Sequence, residues 1–199
     1  MSTFANLMKF ESGAKLYLKA TAMVVIIVIN IALDQLTKDW ARSALEYGEA
    51  HEIVGRYFML IKAENTGAFL GMGSTLDDGM KQLFLNGLPA LVLVAMLVYA
   101  ILKPGLSNWL IVGFSLVIGG GIGNLIDRAL YQSVTDFMFM DFGIFRTGIF
   151  NVADVSVMVG VGCILVDSFL ERKRNKATND STTPELTGAG GADDTLTNA

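Results

Sequence analysis

Cysteine, histidine and charge are all scarce in this 199-residue chain, and each shortage narrows what the protein can be. The single cysteine, Cys163, lies inside an apolar run without a partner. It offers neither a disulfide framework nor a cysteine-based zinc site, and packing is its expected role. His51 is the one histidine and sits in a polar loop, so Ser-His or Cys-His hydrolysis would have to rest on that residue alone. Charged residues make up 17% of the chain and hydrophobic ones 52%, with a mean hydropathy of +0.50. That balance is too apolar for an ordinary soluble domain and describes a polytopic membrane protein. The net charge of −4, part of it in an acidic tail, argues against nucleic acid as a partner.

What is present is four long apolar runs. Residues 1–15 are mixed and polar, with no small-residue cleavage signature, and read as a cytoplasmic lead. Lys19 to Lys38 follows, 20 residues that at about 1.5 Å each match the roughly 30 Å hydrocarbon core. Asn30, Asp34 and Lys38 stand four apart on one face at its far end. Asp34 and Lys38 can neutralise each other at the membrane boundary, as an anchor pair that fixes helix depth or as direct participants in chemistry. Gln82 to Leu102 carries no charge and reads as a structural wall, closed by the Lys103-Pro104-Gly105 turn. The third span covers about Ser107 to Ile126, where Gly119 and Gly123 permit a close helix contact, and the fourth covers Phe150 to Leu170.

Two segments leave the membrane. Residues 39–81 are rich in β-branched and aromatic positions followed by glycines, and residues 129–149 alternate apolar and polar side chains around Asp136. Both predict strands of a small sheet at the membrane surface. Asn65-Thr66-Gly67-Ala68 in the first segment is either a hairpin turn or a polar contact point for an extended peptide. The stretch 119–158 concentrates the costly residues: Asn124, Asp127 and Arg128 at helical spacing, then Asp136, then Asn151 and Asp154 three apart. Ionisable groups at membrane depth are functional candidates, and two carboxylates converging where the loop folds back suit acid/base hydrolysis.

Arg172, Lys173, Arg174 and Lys176 directly follow the fourth span, which with the basic lead places both termini in the cytoplasm. Asp34, Lys38, Asn124, Arg128, Asp136, Asn151 and Asp154 then all come near the outer face. The expected division is a four-helix membrane domain over 1–176 with β insertions at 39–81 and 129–149, and a disordered cytoplasmic tail over 177–199.

Five blocks in order, Asp34-Gln35-x-x-Lys38, Asn65-x-Gly67-Ala68, Gly123-Asn124-x-x-Asp127-Arg128, Val134-x-Asp136-Phe137 and Phe150-Asn151-x-Ala153-Asp154, resemble lipoprotein signal peptidase, the signal peptidase II family. The resemblance runs from Asp34 to Asp154 and departs from the usual Gly-Ala-Ala-Phe block, which here reads Gly67-Ala68-Phe69-Leu70. It implies a monomeric aspartic endopeptidase of the bacterial inner membrane, with four transmembrane helices, an extracytoplasmic β-cradle and no cofactor or metal. Its substrate would be a prolipoprotein, cut on the amino-terminal side of a diacylglyceryl-modified cysteine among membrane lipids. The family's catalytic aspartates fall on Asp136 and Asp154. Asn65, Gly67, Asn124, Arg128 and Asn151 fall on substrate-contacting positions, and Asp34, Lys38 and Asp127 support the site.

Neighbouring Asp groups tend to share one proton, so one serves as base and the other as acid. Two other classes compete on the residues alone. A proton-coupled carrier would need polar groups at mid-membrane, where Asn30 is the candidate. A scaffold would use Asp136 and Asp154 merely to pair with Arg128 and Arg146.

Overall fold

The computed structural model describes residues 2–67 and 77–182. In chain order the elements are α1 (Ser2–Ala44), β1 (Ala50–Val54), β2 (Phe58–Asn65), α2 (Asp78–Lys81), a π-helical turn (Gln82–Gly87), α3 (Leu88–Leu102), α4 (Asn108–Tyr131), β3 (Val134–Met140) and α5 (Val152–Thr182). Among the described residues, four helical stretches are long and apolar enough to cross a membrane: Leu16–Ala44, Gly79–Leu102, Asn108–Tyr131 and Val152–Lys176.

The usual arrangement of side chains is inverted. Leu36 and Met158 are 68% and 69% exposed, whereas Asp34, Lys38, Asp127 and Asn151 are fully buried. In lipid this is the favourable distribution, because outward apolar side chains meet hydrocarbon and the polar ones satisfy each other inside.

Small residues let the helices approach. A side chain at Gly119 would collide with Asn30, one at Gly120 with Ala153, and one at Gly123 with the Asp34 carboxylate. The expected Gly119/Gly123 contact face therefore receives α1, and Gly120 receives α5. Gly113 and Gly160 form a second close approach between α4 and α5. Asn30 serves these contacts: its amide donates to Leu116 O at 3.1 Å and its oxygen accepts from Ser156 Oγ at 2.7 Å. With both ends satisfied by neighbouring helices, it joins them and lacks the geometry of a carrier's ion site.

The sheet is antiparallel with strand order β1-β2-β3, so it unites the two segments expected to leave the membrane. Gly55, at φ +47, turns the β1–β2 hairpin, a conformation that side chains with a Cβ rarely adopt. The register places Ala63 opposite Asp136 and Asn65 opposite Val134, with an irregularity between Leu60 and Ala63. Phe137 of β3 packs with Ala41 and Leu45 at the end of α1, and Leu60, Met138 and Val152 close over them. This small apolar cluster fixes the sheet to the helix bundle.

The helices overrun the expected spans. α1 begins at Ser2, inside the expected polar lead, and runs to Ala44 because Ala41 and Arg42 have partners beyond Lys38. The wall opens with the turn Gln82–Gly87, continuing helically from α2. Ser107 is the cap of α4, its side chain accepting from Leu110 N at 3.1 Å, and the helix proceeds to Tyr131. α5 continues to Thr182, past the expected start of the tail, since no proline interrupts it before Pro184. Residues 183–199 lie outside the described residues, as do Ala68, Phe69 and Leu70.

Candidate active site

The site grows from one backbone pairing. Phe150 N donates to Met138 O at 2.9 Å, and Phe150 O accepts from Met138 N at 2.8 Å. This short bridge lays the chain entering α5 beside β3, so Asn151 arrives next to Asp136. Asn151 Nδ2 donates to Asp136 Oδ1 at 2.7 Å and to Asn124 Oδ1 at 3.1 Å.

Asn151 also caps α5. Its Oδ1 accepts from Asp154 N at 3.0 Å, and its own backbone N–H donates to Asp154 Oδ2 at 3.3 Å. This is the reciprocal pattern of a capping box, in which the residue three positions into the helix returns the bond. Asp154 is thereby held in the first turn of α5, where the unpaired N–H groups and the helix dipole favour a negative charge. Its other oxygen accepts from Asn124 Nδ2 at 2.9 Å.

Asp136 is 3% exposed. Asn65, next but one to its cross-strand position, donates Nδ2 to Asp136 Oδ2 at 3.1 Å. Burial first, and then the charge of Asp154, push the Asp136 carboxyl up to about 7, against the lowering effect of the Asn65 and Asn151 amides and of Lys38. Two carboxyls in one site whose environments differ this way are suited to divide acid and base roles.

A charged layer lies behind them. Lys38 Nζ is 2.8 Å from Asp34 Oδ2 and 3.3 Å from Asp127 Oδ2, and it donates to Asn124 Oδ1 at 2.9 Å. Asp34 Oδ1 accepts from Ala153 N at 2.9 Å, so α1 supplies a second anion to the N-terminus of α5. Asp127 also pairs with Arg42 Nη2 at 2.9 Å and accepts from Thr135 N at 3.1 Å. On the sheet side, Asn65 Oδ1 accepts from Gly67 N at 3.0 Å and Arg128 Nη2 donates to Gly67 O at 3.1 Å. The scaffold pairing is not formed: Arg146 pairs with Asp141 at 3.0 Å, and among the described residues neither Asp136 nor Asp154 has an ion-pair partner.

Comparison with known proteins now gives the lineage. Residues 26–170 match the family described as signal peptidase (SPase) II. The lipoprotein signal peptidase of Gloeobacter violaceus is 35% identical over 150 residues, 75% of this chain and 83% of that protein. The one from Clostridium tetani is 35% identical over 156 residues, 75% of this chain and 97% of that protein. A bacterial membrane enzyme solved by the in meso method superposes with a TM-score of 0.67 at 28% identity, covering 77% of this chain and 90% of the other. The chain belongs to the signal peptidase II family. It is a membrane-embedded protease of the kind that removes signal peptides from prolipoproteins.

Within this signal peptidase, ten residues singled out from the sequence form one connected cluster: Asp34, Lys38, Asn65, Gly67, Asn124, Asp127, Arg128, Asp136, Asn151 and Asp154. Reading the sequence missed Arg42, Thr135 and Glu64. Arg42 Nε donates to Thr135 Oγ1 at 3.0 Å, and Thr135 Oγ1 donates to Glu64 Oε1 at 3.2 Å. Arg42 stands four residues after Lys38, so the spacing that marked Asp34 and Lys38 extends to it.

Proposed function

We propose that Asp136 and Asp154 are the catalytic pair of this peptidase and that the scissile bond lies on the amino-terminal side of a diacylglyceryl-modified cysteine. The observation that carries this reading is the Asn151 side chain. It bonds to the Asp136 carboxyl while its carbonyl oxygen and backbone N–H bond to the Asp154 unit, so a single residue sets the positions of both.

The chemistry follows from the surroundings of each group. Asp136, raised to about 7, holds a proton available to the scissile carbonyl oxygen. Asp154, facing amide donors at the start of α5, is placed to take a proton from water as it attacks the carbonyl carbon. Collapse of the tetrahedral intermediate breaks the C–N bond as the proton gained by Asp154 passes to the leaving amine and a hydroxyl of the intermediate returns its proton to Asp136, which restores both carboxyls. Asn65, Gly67 and Arg128 line the sheet side, where an extended signal peptide and its lipid can be held.

The orientation belongs to the same proposal. The basic cluster Arg172 to Lys176 fixes the end of α5 on the cytoplasmic side, leaving the sheet and both carboxylates at the outer face of the inner membrane. The working unit is a monomer of one membrane domain.

Asn keeps the size of Asp but can be neither acid nor base. Asp136→Asn and Asp154→Asn are each expected to insert, fold and bind lipidated precursor, yet to cut it orders of magnitude more slowly, with the double variant scarcely worse than either single. Near-normal cleavage by a purified single variant would remove the pair from the mechanism.

A further inference from the structure

Strand β3 crosses the end of the helix bundle and does not rise from it. Thr135 N donates to Asp127 of α4 at 3.1 Å, Asp136 accepts from Asn151 at the start of α5 at 2.7 Å, and Phe137 packs on Ala41 of α1, three residues beyond Lys38. Asp127 is itself an ion-pair partner of Lys38, so these contacts lie at the level of the charged layer. A strand advances only about 3.3 Å per residue, so three successive residues can meet three helices only by running across them. The Phe137 ring also stands edge-on to Trp40, with 6.4 Å between centroids. Trp40 is half-exposed one turn beyond Leu36, on the outward surface of α1. Past α1 the strand carries the turn 141–146 beyond the bundle.

That turn is apolar where it is most exposed. Ile144 is fully exposed, and Phe142 and Phe145 are 51% and 61% exposed. The turn is also held in shape from within. Phe142 N donates to Phe145 O at 2.9 Å, Thr147 N to Met140 O at 3.0 Å and Gly143 N to Asp141 Oδ1 at 2.8 Å. Three large apolar side chains held outward in a fixed turn are unfavourable in water and call for an apolar partner. Charge is not the attraction, because Asp141 balances Arg146 at 3.0 Å, and Arg56, which approaches Gly143 from the β1–β2 hairpin, shares that hairpin with Glu52.

We propose that the turn 141–146 is a membrane anchor, with Phe142, Ile144 and Phe145 entering the leaflet at the sheet end beside the bundle. Leu36 and Trp40 carry the lipid-facing surface of α1 up to the strand, so the turn adjoins a surface that already meets hydrocarbon. Both edges of β3 are taken here, which closes it to strand addition by a peptide: β2 lies on one side, with Met140 opposite Phe58, and the returning chain lies on the other through Thr147 and Phe150. Backbone groups paired within the turn also suit a segment that enters lipid. The anchor fixes the height of the sheet over the acyl chains. It is independent of the roles assigned to Asp136 and Asp154.

The full-length protein carrying Cys163→Ala, which removes its single cysteine, receives a nitroxide label at Ile144→Cys or, as the aqueous reference, at Glu52→Cys on the exposed strand β1, and is placed in phosphatidylcholine nanodiscs. Collisions of the label with oxygen, which concentrates in hydrocarbon, are compared with its collisions with a water-soluble nickel chelate. The expected oxygen-to-chelate ratio is about fivefold higher at 144 than at 52. Cleavage of lipidated precursor within about twofold of wild type shows that the labelled protein is folded, and where it is lower the same comparison is made with Phe145→Cys. Equal ratios at the two positions overturn the proposal. Dipolar broadening between labels at 144 on two molecules in one bilayer also overturns it, since a second copy is then the occupant. So does a raised ratio that appears only when precursor is bound, which makes the substrate the occupant.

Discussion

Lys38 Nζ donates to Asn124 Oδ1 at 2.9 Å, and because an ammonium has only donors, this contact turns the Asn124 amide nitrogen toward Asp154, which it reaches at 2.9 Å. A fully buried cation in the first helix thus orients a side chain of α4 against a carboxylate of α5. Asn151 donates to the same Asn124 oxygen, so the Lys38 contact reaches both members of the proposed pair.

Replacing Lys38 by Met leaves Asp34 and Asp127 buried without their shared partner, at an expected cost of about 3 to 5 kcal/mol. Asp34→Asn should likewise reduce the folded protein and activity together, since it removes the charge that holds Lys38 and leaves one acceptor oxygen where Lys38 and Ala153 N each use one. The double variant Lys38→Met with Asp34→Asn restores the charge balance, so it should be more stable than Lys38→Met alone. Its cleavage should nevertheless stay at least tenfold low, because Asn124 is then oriented by the Asn151 amide alone, without the buried ammonium. Thermal unfolding in detergent and cleavage per folded molecule, measured together, separate the two effects. Recovery of cleavage along with stability would show that Lys38 acts only on the fold.

Close approach of α1 and α4 gives the next expectation. A Cβ at Gly123 meets the Asp34 carboxylate, which Lys38 holds in place, whereas a Cβ at Gly162 meets nothing within 4 Å. Gly123→Ala should destabilise by about 1 to 3 kcal/mol. Gly162→Ala should be neutral or gain up to about 1 kcal/mol from helix propensity. A Gly123→Ala protein as stable and active as wild type would mean that the helices separate more easily than this packing allows.

The four spans and the polar cluster are legible in the sequence for a common reason: charges placed at the ends of apolar runs are too costly to be incidental. Asn151-x-x-Asp154 ahead of an apolar run is also a readable helix start. Three features needed the fold. Glu64 reaches Thr135 only through the β2–β3 register, which is irregular between Leu60 and Ala63 and so cannot be counted from alternation. Arg42 continues the Asp34 and Lys38 spacing, but the apolar run ends at Lys38 and Arg42 gains its partners only where α1 meets the sheet. The crossing of β3 over the bundle end depends on contacts with three helices, for which alternation along the strand gives no signal.

The orientation yields a direct test. With the basic cluster after α5 on the cytoplasmic side, a reporter that matures only outside the cytoplasm should be inactive when fused to Ala199. The same reporter inserted within the β1–β2 hairpin, at Gly55, should be active. Activity at Ala199 would invert the proposed topology and move both carboxylates to the inner face.

The final expectation concerns pH. Asp136 is raised from an ordinary 3.8 to about 7 by burial and then by the Asp154 charge. A carboxyl raised on folding adds stability that is fully present below about pH 4, where it is protonated in both states, and that is lost as pH rises through about 7. Between those values the unfolded chain has released the proton and the folded chain has not, so stability falls by roughly 1.4 kcal/mol per pH unit. The total is on the order of 4 kcal/mol, and the curve levels off above about pH 7. Asp136→Asn cannot titrate, so wild-type stability measured relative to this variant should carry that slope whatever constant offset the amide introduces. Asp154→Asn removes the second cause of the shift but not the first, so the sloping window should shorten from its alkaline end and persist. Turnover by the wild type should decline above about pH 7 as Asp136 loses the proton it gives to the substrate oxygen. A wild-type curve parallel to that of Asp136→Asn from pH 4 to 8 would show that Asp136 is ionised throughout, and the acid role would pass from it.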